Sequence, residues 1–312
     1  MKKIAMMFPG QGSQTVGMGK EFYDEYPSIQ KLYKRANEIL EFDLKDLMFN
    51  GPEEKLTETE NAQPALLLSS IAAYTLLEEQ GITPTVVAGH SLGEYSALVA
   101  AKAIELEDAL PLVATRGKLM EDAFPSGLGS MTAVLGLTEK EIAKTIEEVP
   151  KQYIVDIANL NCPGQIVISG EVKGLQIAEE LLSEAGARRV IRLNVSGPFH
   201  SRLMKKANGD FEKYVNNVPF KDAQIPVYAN VSAGAVTNHE EIKRLLLKQL
   251  YSPVRFEESV INIAKEDIDA FVEVGQGRVL SGLVRKINRK IKTFSIQDPS
   301  SLHKFIKWYK ED

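Results

Sequence analysis

The sequence predicts an α/β protein, with a large domain on a parallel sheet interrupted by a smaller βαββαβ unit. Two observations carry that prediction. A buried-strand pattern at 86–88 runs through Gly89-His90-Ser91-Leu92-Gly93 into a proline-free, alanine-rich helical stretch over 92–103. Residues 128–196 follow a separate rhythm of short strands and helices, set between breaks at 124–129 and 195–201 that are rich in glycine, serine and proline. The large domain therefore comprises 1–127 and 197–312, and the small subdomain 128–196.

Composition fits that reading and excludes several classes. A chain of 312 residues with 44% apolar and 25% charged residues has the balance of a soluble globular protein with a full core. Its net charge of −5 gives no bulk attraction for nucleic acid. The single cysteine, Cys162, excludes a disulfide framework and a cysteine zinc site, and fits a reducing, cytoplasmic setting. The apolar run at 4–8 is too short for a signal peptide. The run at 64–77, broken by Ser69, Ser70 and Thr75, falls short of a membrane span and reads as a buried helix.

Taken in order, 4–8 reads as a buried first strand ending in Pro9-Gly10-Gln11-Gly12. Helices follow at 20–40 and 64–79, then the strand and helix around Ser91, then a helix over 107–121. Within the small subdomain the pattern gives strand 130–135, helix 138–148, strands 153–160 and 165–169, helix 172–185 and strand 189–193. That βαββαβ order is ferredoxin-like. The chain then re-enters the large domain through Gly197-Pro198-Phe199-His200, and a helix runs from His200 towards Val215. A strand at 225–230, a helix at 240–249, a strand at 270–274, a helix from Val279 and a strand at 292–295 complete the chain.

The residues that carry chemistry sit at the turns of this framework. Gly-x-Ser-x-Gly after a strand describes a tight bend that lifts Ser91 above the sheet at a helix N-terminus. The Leu92 N–H, and that of Gln11 after the first strand, are placed to hold an oxyanion. An ordinary glycine-rich turn has the same spelling. The Gln11 loop is neither a dinucleotide nor a P-loop fingerprint, because a third glycine and a Gly-Lys-Ser/Thr are missing. Arg116 falls on the apolar face of its helix, with Leu112, Val113, Leu119 and Met120, and so needs an anion. A structural pair with an internal Asp or Glu satisfies it, and so does a substrate carboxylate. His200, on a rigid turn at the subdomain junction, is a general base if it meets Ser91. His90 is expected to point off its turn, and His239 and His303 to face solvent. Asn161 either satisfies its own turn or lines the cleft between subdomains.

The motifs in combination resemble the malonyl-CoA:acyl carrier protein transacylase family. They are Phe8-Pro9-Gly10-Gln11-Gly12-Ser13-Gln14, Gly89-His90-Ser91-Leu92-Gly93, Thr115-Arg116-Gly117, Asn161-x-Pro163-x-Gln165, Gly197-Pro198-Phe199-His200-Ser201, Gln249-Leu250-Tyr251-Ser252-Pro253-Val254 and Gly275-x-Gly277-x-Val279-Leu280. The resemblance spans nearly the whole chain and implies a hydrolase-like large domain with a ferredoxin-like insertion. It also implies roles. Ser91 attacks malonyl-CoA, His200 takes and returns the proton, and the amides of Gln11 and Leu92 hold the oxyanion. Arg116 grips the malonyl carboxylate, against the structural ion pair that the residues alone favour. Backbone carbonyls near Gln249 orient the histidine, and Asn161 and Phe199 shape the substrate site. The transfer is ping-pong, with no metal or redox cofactor. The acceptor is an acidic acyl carrier protein, for which Arg285, Lys286, Arg289, Lys290, Arg188 and Arg189 are docking candidates on charge alone. Rival readings are a serine esterase, a polyketide acyltransferase with another carrier, and a scaffold that has lost its chemistry. A buried cation argues against the first, and an intact Ser91 and His200 against the last.

Overall fold

The computed structural model describes residues 2–125 and 127–311, so Ser126, within the break read at 124–129, lies outside the described residues. The chain opens with β1 (Ile4–Phe8), whose side chains alternate between two cores. Ile4, Met6 and Phe8 join one apolar cluster, and Ala5 and Met7 join another on the opposite face. Burial on both faces is why the strand reads as an unbroken apolar run. Next come α1 (Lys20–Glu25), α2 (Pro27–Leu40), α3 (Leu44–Asn50), α4 (Glu53–Thr57) and α5 (Thr59–Glu79), then β2 (Val86–Gly89), α6 (Gly93–Ala100) and α7 (Leu106–Asp122).

A second sheet then forms from β3 (Gly129–Leu135), β4 (Val155–Cys162), β5 (Gln165–Glu171) and β6 (Arg189–Arg192), with α8 (Glu139–Ile146) and α9 (Val172–Glu184) between strands. Its order is β4-β5-β3-β6 and its pairings are antiparallel. A separate cluster including Val134, Ile142, Ile166, Ile168 and Leu175 forms its core. Returning to the first sheet, the chain gives α10 (Lys205–Asn217), β7 (Val227–Tyr228), β8 (Ala235–Val236), α11 (His239–Gln249), α12 (Phe256–Ile263), β9 (Ala270–Val274), α13 (Val279–Ile287), β10 (Thr293–Ile296) and α14 (Pro299–Lys310).

The large sheet has the order β10-β9-β1-β2-β7-β8, parallel except at the β7–β8 edge. The fold is thus mixed α/β with a parallel sheet. Because β1 and β2 are neighbours in register, with Phe8 opposite Gly89, the loops leaving them emerge side by side. That adjacency brings Gln11 next to Ser91. The small sheet is tied to the large one through β4. Leu160 N–H donates to Val254 O at 2.9 Å and Val254 N–H donates to Ala158 O at 2.8 Å. Among the described residues no helix is long and apolar enough to cross a membrane.

Several boundaries differ from the sequence expectation for local reasons. The helix read at 20–40 breaks at Tyr26, and Pro27 starts the next one at the position where its missing N–H is tolerated. The helix read at 64–79 begins at Thr59, with Pro64 inside it. His200 does not open a helix, because its φ of 59° is left-handed. A 3₁₀ turn at Arg202–Met204 intervenes, and α10 starts at Lys205. The strand read at 225–230 shrinks to Val227–Tyr228, which frees Asn230 for the site.

Candidate active site

Ser91 sits on a strained bend between β2 and α6, with φ at 51°. A non-glycine residue there carries a strain of about 1–3 kcal/mol, so the surroundings must hold it. Two features do. The chain packs too tightly for any side chain at the flanking glycines: a Cβ on Gly89 would meet Gly93 C at 1.9 Å, and one on Gly93 would meet Phe8 O at 2.0 Å. Asn230 brackets the bend, its Oδ1 accepting from Ser91 N–H at 2.8 Å and its Nδ2 donating to Gly89 O at 2.6 Å. Among the described residues no acceptor takes the N–H of Leu92 or of Gln11, so both are free for an incoming oxygen.

His200, buried and also in a left-handed conformation, lies with Nε2 2.7 Å from Ser91 Oγ. Its Nδ1 is 2.9 Å from the Gln249 carbonyl oxygen. A carbonyl only accepts, so Nδ1 carries the proton and Nε2 accepts from the serine hydroxyl. Burial first, and then the Arg116 guanidinium, push His200 down to about 3. The imidazole is therefore neutral and its lone pair faces the hydroxyl. Among the described residues no acid meets Nδ1 to complete a triad: Asp156 pairs instead with Arg202 on the surface side.

Arg116 is 1% exposed, on α7 beside Gly117, where a Cβ would strike Thr59 O of α5 at 2.6 Å. That close helix contact lets the guanidinium reach across. Nη1 donates to Gln63 Oε1 at 2.8 Å, and Nη2 donates to Gln249 Oε1 at 2.8 Å and to Ser91 Oγ at 3.2 Å. The guanidinium also lies over the Tyr95 ring, 5.3 Å from its centroid, and Nε has no acceptor. Among the described residues no carboxylate accepts directly from Arg116, so the direct ion pair favoured by the residues alone is replaced by hydrogen bonds to neutral oxygens. Burial pulls its pKa down, yet a guanidinium stays charged. A buried cation held by neutral dipoles and open to the nucleophile is a seat for an anion.

The remaining residues line or brace the cleft. A cavity of about 310 Å³ between the two sheets is bordered by Gln11, Ser91 and His200 on one side and by Met131, Asn159 and Val195 on the other. Phe199, 4% exposed, also faces it. Asn161, expected in a turn, lies inside β4, and its Oδ1 is 2.8 Å from His90 Nε2. That bond takes His90 off its turn towards the small sheet, and its ring lies tilted against that of Phe256, the centroids 5.7 Å apart. His303 is exposed, whereas His239 is half-buried against Asp222. A larger groove at Asp43, Lys55 and Lys118 stands apart from all of these groups.

A neutral imidazole bonded to a lifted serine, two free amides and a buried cation suit acyl transfer to and from a carboxylated acyl donor. Residues 6–296 match the acyl transferase domain family. The malonyl CoA-acyl carrier protein transacylase of Bacillus subtilis is 50% identical over 313 residues, spanning 100% of this chain and 99% of that protein. The chain belongs to the malonyl-CoA:acyl carrier protein transacylase family. It is an acyltransferase. A relative of the same name from Staphylococcus aureus strain MRSA252 is 47% identical over 300 residues, 95% of this chain and 96% of its own. Among solved structures, the protein named MCAT from Streptococcus pneumoniae superposes with a TM-score of 0.94 at 43% identity, covering 98% of this chain and 100% of the other. A holo complex of a type II PKS acyl-carrier protein with its malonyl-transacylase gives 0.96 at 39% identity, with 98% and 99% coverage.

Sequence reasoning missed Gln63, Glu94 and Asn230. Asn230 had a signal, since it closes a predicted strand at the sheet's C-terminal edge, where such sheets place ligand-facing groups. Glu94 reads in sequence as an ordinary first-turn acid. Gln63 precedes Pro64 at what looked like a helix start, so nothing marked it as buried.

Proposed function

We propose that this protein transfers a malonyl group from malonyl-CoA to the phosphopantetheine thiol of an acyl carrier protein, by a ping-pong route through a malonyl ester on Ser91. The observation that carries the reading is the buried Arg116 guanidinium 3.2 Å from Ser91 Oγ. An esterase for neutral acids has no use for a cation there.

The steps follow from the geometry. The malonyl carboxylate pairs with Arg116, which sets the thioester carbonyl over Ser91 Oγ. His200 Nε2 takes the hydroxyl proton as Oγ attacks, while Gln249 O stabilises the imidazolium through Nδ1–H. The amides of Gln11 and Leu92 hold the oxyanion, each donor contributing about 10²–10³ in rate. His200 then returns its proton to the departing CoA thiol, and the same steps run in reverse with the carrier thiol. Arg116 is the second cause that depresses His200, after burial, so pairing it with a carboxylate relieves the smaller part of that depression. Nucleophile, base and oxyanion donors are all protein groups, so the chemistry calls for no metal or redox cofactor.

The architecture supports this reading. The antiparallel order β4-β5-β3-β6 suits a ferredoxin-like subdomain at 128–196, set over a hydrolase-like domain at 1–127 and 197–312. Asn161 and Phe199 then shape the cleft between them. An acidic carrier would dock on the exposed Arg285, Lys286, Arg289 and Lys290 at and beyond the end of α13, and on the exposed Arg188 and Arg189. Lys286 Nζ donates to Gln165 Oε1 at 2.9 Å, and Gln165, Leu135 and Arg189 sit on one rung of the small sheet. Both basic groups thus meet at the same sheet end. A reducing, cytoplasmic setting fits the lone buried Cys162.

Intact-mass analysis tests the proposal. Mixing with malonyl-CoA is expected to place one malonyl adduct on Ser91, which moves to phosphopantetheinylated carrier protein on its addition. An adduct that survives Ser91→Ala, or none at all with the wild type, overturns it.

A further inference from the structure

Behind Ser91 lies a buried carboxyl group for which the proposed reaction has no role. Glu94, in the first turn of α6, is 3% exposed. Its Oε2 accepts from Asn230 N–H at 2.9 Å and from Gln249 Nε2 at 2.8 Å. Gln249 in turn offers Oε1 to Arg116 Nη2 at 2.8 Å. A carboxylate only accepts, so Glu94 holds the NH₂ end of that amide and leaves the carbonyl end for the guanidinium. Ser91 O and Asn230 Oδ1, at 3.0 and 3.2 Å from the same Nε2, agree with that orientation. A flipped amide would set its carbonyl against three acceptors and its NH₂ against a cation.

We propose that Glu94 is a positioning residue for the substrate carboxylate: acting through Gln249 it aims Arg116, and its negative charge balances the guanidinium until a malonyl group arrives. The inference rests on Arg116 being the malonyl clamp. Two carboxylates then share one guanidinium, one directly and one through an amide. An arriving malonyl group repels the Glu94 charge, so binding draws a proton onto Glu94.

Burial pushes the Glu94 carboxyl up to about 7, against the lowering effect of Asn230 N–H, the Gln249 amide and Arg116. Proton uptake on binding therefore falls in the neutral range. The charged and titratable groups facing Glu94 are Arg116 on α7 and Tyr95 beside it on α6; Asn230 and Gln249 present neutral groups. The guanidinium stays protonated, and burial raises the Tyr95 phenol above its ordinary value, so neither titrates there. By linkage, malonyl affinity rises as pH falls through neutrality, by at most about tenfold per pH unit for one proton. Acetyl-CoA carries the same CoA phosphates without the carboxylate, and it isolates the effect.

The test is the ratio of malonyl-CoA to acetyl-CoA KM for acylation, measured from about pH 6 to 8. In the wild type the ratio is expected to fall several-fold on acidification. In Glu94→Gln, which keeps an acceptor but loses the charge, it is expected to be flat. A flat wild-type ratio overturns the proposal without any variant, and so does a Glu94→Gln ratio that keeps the wild-type slope. Arg116→Ala separates the two readings: if its malonyl preference matches the wild type, the clamp itself is wrong.

Discussion

The two walls of the cleft are built differently. On the large-sheet wall, Ser91, His200, Arg116 and Gln249 make several hydrogen bonds each, and two of them, Ser91 and His200, are held in left-handed backbone. The small-sheet wall combines apolar side chains such as Met131 and Val195 with the polar Asn159, and Asn161 behind it reaches across to His90. Strain and buried charge collect around the Ser91 hydroxyl and the His200 imidazole, where neighbouring hydrogen bonds hold each group in place. The same contrast appears in two buried glutamates, Glu273 and Glu94. Glu273, wholly buried, accepts from the N–H groups of Leu280 and Ser281 at the start of α13 and so anchors a helix. Glu94 spends its acceptor on Gln249 and reaches the site.

Four measurements challenge this division, in falling order of size. Ser91→Ala is expected to abolish the covalent adduct and lower transfer by about 10⁴-fold or more, read by single-turnover kinetics. Arg116→Ala is expected to lower malonyl kcat/KM by about 10²–10³-fold, the loss of a buried charge pair, while acetyl transfer is spared or improves as His200 regains basicity. If acetyl transfer fell equally, Arg116 would be supporting the bend and not the carboxylate. On the opposite wall, Asn161→Ala removes one hydrogen bond and is expected to cost at most about tenfold in kcat/KM. A loss as large as that of Arg116→Ala would end the distinction between walls. Alanine at Arg285, Lys286, Arg289 and Lys290 together is expected to raise the carrier KM several-fold, more at low salt, and leave acylation by malonyl-CoA unaltered. Equal loss in both half-reactions would remove these residues from docking.

Much of the framework was readable in the chain. The unbroken apolar run at 4–8 marks a strand covered on both faces, as does 270–274 with Glu273 its one polar residue, and the glycine spacing around Ser91 marks a bend that no Cβ allows. Other elements were passed over although they carried signals: α14 begins with Asp298-Pro299, a capping residue and an N1 proline, and buries Leu302 and Phe305. α12 was missed because its eight residues directly follow a proline-containing turn.

Sequence alone determined that a serine lies on a tight bend, that an arginine lies on an apolar helix face, and that a histidine follows a rigid turn, since each is a property of residues a few positions apart. Only the tertiary structure decided that these three meet, and that Arg116 is met by amide oxygens instead of a carboxylate. It also gave Glu94, an ordinary acid by its position in the chain, a glutamine 155 residues away as its partner. The reason is physical: charge balance and hydrogen-bond direction in a buried site depend on which strands are neighbours in the sheet, and no local pattern encodes that.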